Sequence, residues 1–123
     1  MTAPNLIGAT TINGNTVGAN LTTTSATTVI NNPASSNHCL KINTLNVTNY
    51  SASAVLATVA WYNGANVTGT AFAIVGNVSV PGNATLNVID KGTQYYLQEN
   101  TSIGATAGTA NTLIVTCSYE DIS

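Results

Sequence analysis

Ser53-Ala54-Val55-Leu56-Ala57-Thr58-Val59-Ala60-Trp61-Tyr62 is the stretch that decides the fold class. In an extended chain Val55, Ala57, Val59 and Trp61 share one face, and Leu56, Ala60 and Tyr62 lie on the other. Apolar spacing of three and four residues, the mark of an amphipathic helix, is absent here and elsewhere in the chain. β-branched residues, Gly and Asn are spread throughout, which favours strands and turns. The preceding run, residues 38–50, places Leu40 and Ile42 on one face. Its second apolar pair, Leu45 and Val47, is out of phase by one residue. A β-bulge near Asn43-Thr44 restores both pairs to the same side. The link Ser51-Ala52-Ser53 is short, so these two runs are expected to form an antiparallel hairpin.

Working toward the C-terminus, strand-like runs and turn signals alternate. Asn63-Gly64-Ala65-Asn66 is a turn. Residues 70–75 and 77–80 read as two short strands separated by Gly76, and Pro81-Gly82-Asn83 is a strong turn signal. Residues 85–89 alternate around Leu86 and Val88. Asp90-Lys91-Gly92, Gln98-Glu99-Asn100 and Gly108-Thr109-Ala110-Asn111 bound the brief run 95–97 and the run 102–106, which carries Ile103 and Ala105. The last run, 112–119, puts Leu113, Val115, Cys117 and Tyr119 on one face. Toward the N-terminus the pattern is looser. Residues 5–12 are expected to be a strand with Ile7, Ala9 and Ile12 inward, and Asn13-Gly14 a tight turn. Residues 17–30 hold few large apolar groups, and Asn31-Asn32-Pro33 interrupts the chain.

The sum is an all-β protein: a single antiparallel β-sandwich, jelly-roll or Ig-like, of roughly eight strands. Residues 36–123 form the sandwich domain. Residues 1–35 form an extended N-terminal segment, either a strand pair on the sandwich or an arm on a neighbouring subunit, because a segment so poor in bulky side chains has little to bury alone.

Composition narrows the function classes. The chain has 123 residues, 44% hydrophobic but only 5% charged, against about 25% in ordinary domains. Thr, Asn, Ser and Gly replace the missing charge. Disordered chains combine low hydrophobicity with high charge, so this one is expected to fold. The net charge is −2 and the only cations are Lys41 and Lys91. Binding nucleic acid takes a patch of cations and anionic membrane takes a polybasic segment, so neither is an expected partner. Met1-Thr2-Ala3-Pro4-Asn5 carries no basic n-region and no long apolar run, which reads as a complete product without a secretory signal. Cys39 and Cys117 are then expected as two buried thiols. Triplets such as Asn46-Val47-Thr48 follow from composition and are not read as glycan sites.

The groups able to do chemistry are few. His38 is the single His, and its neighbour Cys39 points to the opposite face of a strand. Asp90 and Glu99 fall on turns, and Glu120 and Asp121 fall on a tail expected to be solvated. No facing carboxylate pair, phosphate loop or metal-ligand spacing stands out, so no catalytic residue, cofactor or metal is expected. Trp61, Tyr62, Tyr95 and Tyr96 are expected in the core or at subunit contacts. The surface is the most informative feature. With so few charges on Thr-, Asn- and Ser-rich strands, exposed edges invite pairing, and a homo-oligomer within a larger assembly is expected.

Several stretches carry a resemblance: Ala3-Pro4-Asn5-Leu6-Ile7, Asn13-Gly14, Leu45-Asn46-Val47-Thr48-Asn49, Val59-Ala60-Trp61-Tyr62, the run from Val80-Pro81-Gly82-Asn83 to Asp90-Lys91, Tyr96-Leu97-Gln98-Glu99-Asn100-Thr101-Ser102-Ile103, and Cys117-Ser118-Tyr119-Glu120-Asp121-Ile122-Ser123. Together they resemble a group of small virion proteins from tailed phages of cyanobacteria and marine bacteria. The resemblance implies a capsid decoration (cement) protein, non-catalytic and without cofactor. Such a protein is made in the host cytoplasm and sits on the capsid surface of the virion. It would bind the major capsid protein and itself, as a homotrimer, and stabilise the assembled head. Leu6, Ile7, Trp61, Tyr62, Tyr95 and Tyr96 are the candidate assembly contacts. The alternative is a tail, neck or fibre component contacting host-surface glycans.

Overall fold

A computed structural model describes residues 5–123; residues 1–4, the start of the expected N-terminal segment, lie outside the described residues. A single 3-10 turn at Leu6–Gly8 precedes nine strands: β1 (Ile12–Asn20), β2 (Thr27–Asn32), β3 (Cys39–Asn49), β4 (Val55–Tyr62), β5 (Ala71–Val80), β6 (Thr85–Ile89), β7 (Tyr95–Leu97), β8 (Thr101–Ala107) and β9 (Leu113–Ile122). One sheet runs β1-β9-β3-β6, with β7 also paired to β3, and the other runs β2-β8-β4-β5. Every pairing is antiparallel.

The pairings are nested. β1 pairs with β9, β2 with β8, β3 with β6 and β7, and β4 with β5. The chain is thus one long antiparallel ribbon, closed on itself where β9 also meets β3 and β8 also meets β4. β1 to β4 alternate between the sheets, whereas an Ig-type sandwich keeps its first two strands in one sheet. Of the two sandwich types the sequence allowed, the observed order is the jelly roll.

The core lies between the sheets. β9 sends Leu113, Val115 and Cys117 inward, β4 sends Val55, Ala57 and Val59, and β8 sends Ile103, Ala105 and Ala107. β3 contributes Leu40 and Ile42, then Leu45 and Val47, and the register against β9 shifts between Ile42 and Thr44. The expected bulge is therefore present and keeps both pairs in the core. It also explains why two short strands flank β3: β7 pairs with Leu40, Lys41 and Ile42 before the bulge, and β6 pairs with 45–48 after it.

Four local expectations are corrected. β3 and β4 are not a hairpin, because both edges of β3 are taken by β9 and by β6 with β7, so the chain crosses to the other sheet. Asn13-Gly14 is no turn but lies within β1, opposite Asp121 and Glu120. A long β9 edge offers nine residues of pairing to this stretch, which outweighs a local turn preference. Residues 5–12 are not a strand: Ile7 is 96% exposed in the 3-10 turn, and Ile12 is exposed at the start of β1. Residues 70–80 are not two strands but one. β5 absorbs the break as register shifts opposite Ala57, Val59 and Ala60, with Asn77 in the left-handed region and its amide donating to Thr58 Oγ1 (3.0 Å).

Two asparagines end strands that precede a crossing between sheets. Asn32 closes β2; its Nδ2 donates to the carbonyls of His38 and Leu97 (both 2.9 Å), and its Oδ1 accepts from Ser36 Oγ. Asn49 closes β3; its Nδ2 donates to Ser53 O (2.8 Å) and Val80 O (2.9 Å), and its Oδ1 accepts from the backbone and hydroxyl of Ser51. Both are buried. Each supplies donors to two carbonyls at the crossing, one of which, Leu97 O for Asn32 and Val80 O for Asn49, is bonded in the buried interior.

Candidate functional site

The inward-facing row of β9 begins Leu113, Val115, Cys117 and continues, by strict alternation, to Tyr119 and Asp121. β3 enters the sheet from the same end, with His38 two residues before Leu40 on the inward row. At this end the facing rows turn from apolar to polar. They open a cleft of ≈240 Å³ lined by Asn31, Asn32, Pro33, Ser36, His38, Leu40, Tyr119 and Asp121.

Much of the cleft is fixed by hydrogen bonds. His38 Nδ1 lies 2.5 Å from Asp121 Oδ1. With Nδ1 donating to the carboxylate, a neutral imidazole presents Nε2 as an acceptor. Ser36 Oγ donates to Asn32 and accepts from the His38 amide (3.2 Å), so it is committed to the wall. Asn31 Oδ1 accepts from the Asn66 amide (2.7 Å). Burial pushes the Tyr119 hydroxyl upward, and the charges of Asp121 and Cys117 add to it, so the phenol stays protonated. Below the loop 33–38, buried Glu99 accepts from the Asn37 amide through Oε2 (2.5 Å), while its Oε1 is buried without a partner.

These positions amend the reading of the tail. Glu120 and Asp121 are not free in solvent but belong to β9, where Glu120 lies 3.7 Å from Lys41 and Asp121 holds His38. Glu99 sits at its expected turn yet is buried. Cys39 and Cys117 are both free and buried, and burial raises both thiols, Cys117 to about 12. Asp90 supports its turn by accepting from the Gly92 amide (2.8 Å). Among the described residues no three His, Cys, Asp or Glu side chains gather as a metal site, and no helix is long and apolar enough to cross a membrane.

The six residues expected at assembly contacts fall on three elements. Leu6 and Ile7 are exposed in the 3-10 turn. Trp61 is half-buried on β4 and packs against Phe72 of β5, with ring centroids 5.5 Å apart. Tyr62, also half-buried, lies against Gly104. On β7, Tyr95 packs on the core while Tyr96 is exposed beside Lys41. Phe72 was not singled out by sequence, and it is half exposed. Nor was the cleft, although the alternation that starts at Leu113 already places Asp121 on the inward row.

The edges carry the other functional information. β1 and β2 form one side of the sandwich, and β5 and β6, with β7, form the other. None of these strands contains a charged residue. All charged side chains on strands, Lys41, Glu120 and Asp121, belong to the interior strands β3 and β9. Compared with protein-family models and with curated proteins, the chain matches none.

Proposed function

We propose that the chain is a non-catalytic capsid decoration protein of a tailed phage, a homotrimer that binds the outer surface of the assembled head through the major capsid protein. The observation that carries this reading is the placement of charge. Soluble β proteins protect their edges with Lys, Pro or covering elements. Here every edge strand is uncharged, and β5 offers Ala71, Phe72, Ala73 and Ser79 to solvent. Such edges suit a protein whose flanks are covered by copies of itself and by a lattice. A jelly roll is a fold that capsid domains use, which is support by analogy only. The resemblance of the turn-and-strand stretches to small virion proteins points the same way.

The test is cryo-electron microscopy of virions that carry the chain, with light scattering on the isolated protein. Many copies on the head and a trimer in solution are the expected result. A monomer, or density confined to one vertex or the tail, overturns the reading. Ala73→Lys on β5 places a cation on an exposed edge position; it is expected to leave the fold intact and reduce head binding.

A further inference from the structure

We infer that the cleft between β2, β3 and β9 is a binding site for a single neutral sugar unit. The first argument is a violation of pattern. An inward row of a sandwich strand is apolar where it serves only the core, yet the row of β9 ends in an aspartate, and the residue just before β3, two before inward Leu40, is a histidine lining the same cleft. Such departures concentrate at functional sites.

The second argument is the inventory of unused groups. Asn32 and Ser36 are saturated by each other and by backbone. Among the described residues Asp121 Oδ2 and His38 Nε2 have no protein partner; the carboxylate accepts, and Nε2 accepts in the neutral Nδ1–H tautomer. Tyr119 Oη, on the cleft lining, is the matching donor. A carboxylate and an imidazole nitrogen held side by side by their own 2.5 Å contact suit two neighbouring hydroxyls, each donating to one of them. Pro33, Leu40 and the Tyr119 ring supply apolar surface for the C–H face of a sugar.

Charge and size select among ligands. No Lys or Arg lines the cleft, and Asp121 opposes an anion. At ≈240 Å³ the space is below the roughly 300–1,000 Å³ of sites for drug-sized ligands, so it suits one ring. The inference does not depend on where in a virion the chain sits, and either reading can fail with the other intact.

The test is an amide NMR titration of the isotope-labelled full chain with glucose, galactose, mannose and N-acetylglucosamine, with N-acetylneuraminic acid and inorganic phosphate as anionic controls. The expected result is saturable shifts confined to residues 31–40 and 118–122 with at least one neutral sugar and none with the anions. Asp121→Asn, which keeps the shape, weakens that binding about tenfold, and Tyr119→Phe weakens it less. No saturable shift with any of the neutral sugars, shifts centred on Trp61 and Phe72, equal response to the anions, or unchanged binding by Asp121→Asn each overturns it. Should Asp121→Asn not fold, the wild-type shift map decides alone.

Discussion

The two places where the chain crosses between sheets use the same clamp and end differently. At the β2–β3 crossing Asn32 holds two carbonyls, and at the β3–β4 crossing Asn49 holds two more. They mark opposite ends of the sandwich, roughly 30 Å apart by the rise of β3. Around Asn49 there is no room: a Cβ on Gly82 would stand 2.3 Å from Ala52 O, so the turn after β5 lies directly on the crossing. Around Asn32 the loop 33–38 stands away from β9, and the space between is polar. One end is sealed and the other open, although the anchoring chemistry is shared. The sealed end is architecture; the open end has hydrogen-bonding groups to spare.

The comparison can be broken by substitution. Asn49→Ala is expected to cost most, about 3 kcal/mol in denaturant unfolding, because it strips the buried Val80 carbonyl and the Ser51 amide of their partner. Asn32→Ala is expected to cost about 2 kcal/mol, since water in the adjacent cleft can reach part of what it leaves unpaired; a cost above that of Asn49→Ala would show that the open end is not the softer one. Gly82→Ala is expected to lower stability by about 1.5 kcal/mol through backbone displacement at Ala52. Cys117 sharpens the picture by pH. Its thiol is raised from 9.0 to about 12 in the folded protein, so between these values the unfolded chain binds fewer protons. Its stabilising effect is complete below pH 9 and is lost as pH rises toward 12, by at most about 1.4 kcal/mol per unit. The smallest effect is on the open end's His38–Asp121 hydrogen bond. His38 and Asp121 retain side-chain exposures of 41% and 26%, and solvent screening limits the stability lost in Asp121→Asn to about 0.5 kcal/mol or less.

Much of the sandwich was legible because alternation is a local signal. The bulge in β3 followed from two apolar pairs one residue out of phase, and β6 and β7 have the bounds their turn residues imply. What alternation does not carry is partnership. Ser51-Ala52-Ser53 looks the same whether the chain returns along the same sheet or crosses to the other, and only the occupied edges of β3 decide it. Asn13-Gly14 misled for the same reason, since its fate depends on β9 a hundred residues later. The cleft was half legible: Asp121 continues the inward phase of Leu113, Val115 and Cys117, but its meeting with His38 is a matter of tertiary register. Buried Glu99 left no sequence signal, because a turn Glu is ordinarily wet.

The nesting of β1 with β9 and β2 with β8 also sets a timetable. During synthesis the β4–β5 hairpin can zip locally, whereas β2 and β1 must wait, unpaired, until β8 and β9 emerge from the ribosome. A copy truncated near its end would lack β9, the partner that both β1 and β3 need, and would leave half of one layer open. Emergence of β9 is thereby a checkpoint written into the wiring: the β1 and β3 edges close only once that strand is there to receive them.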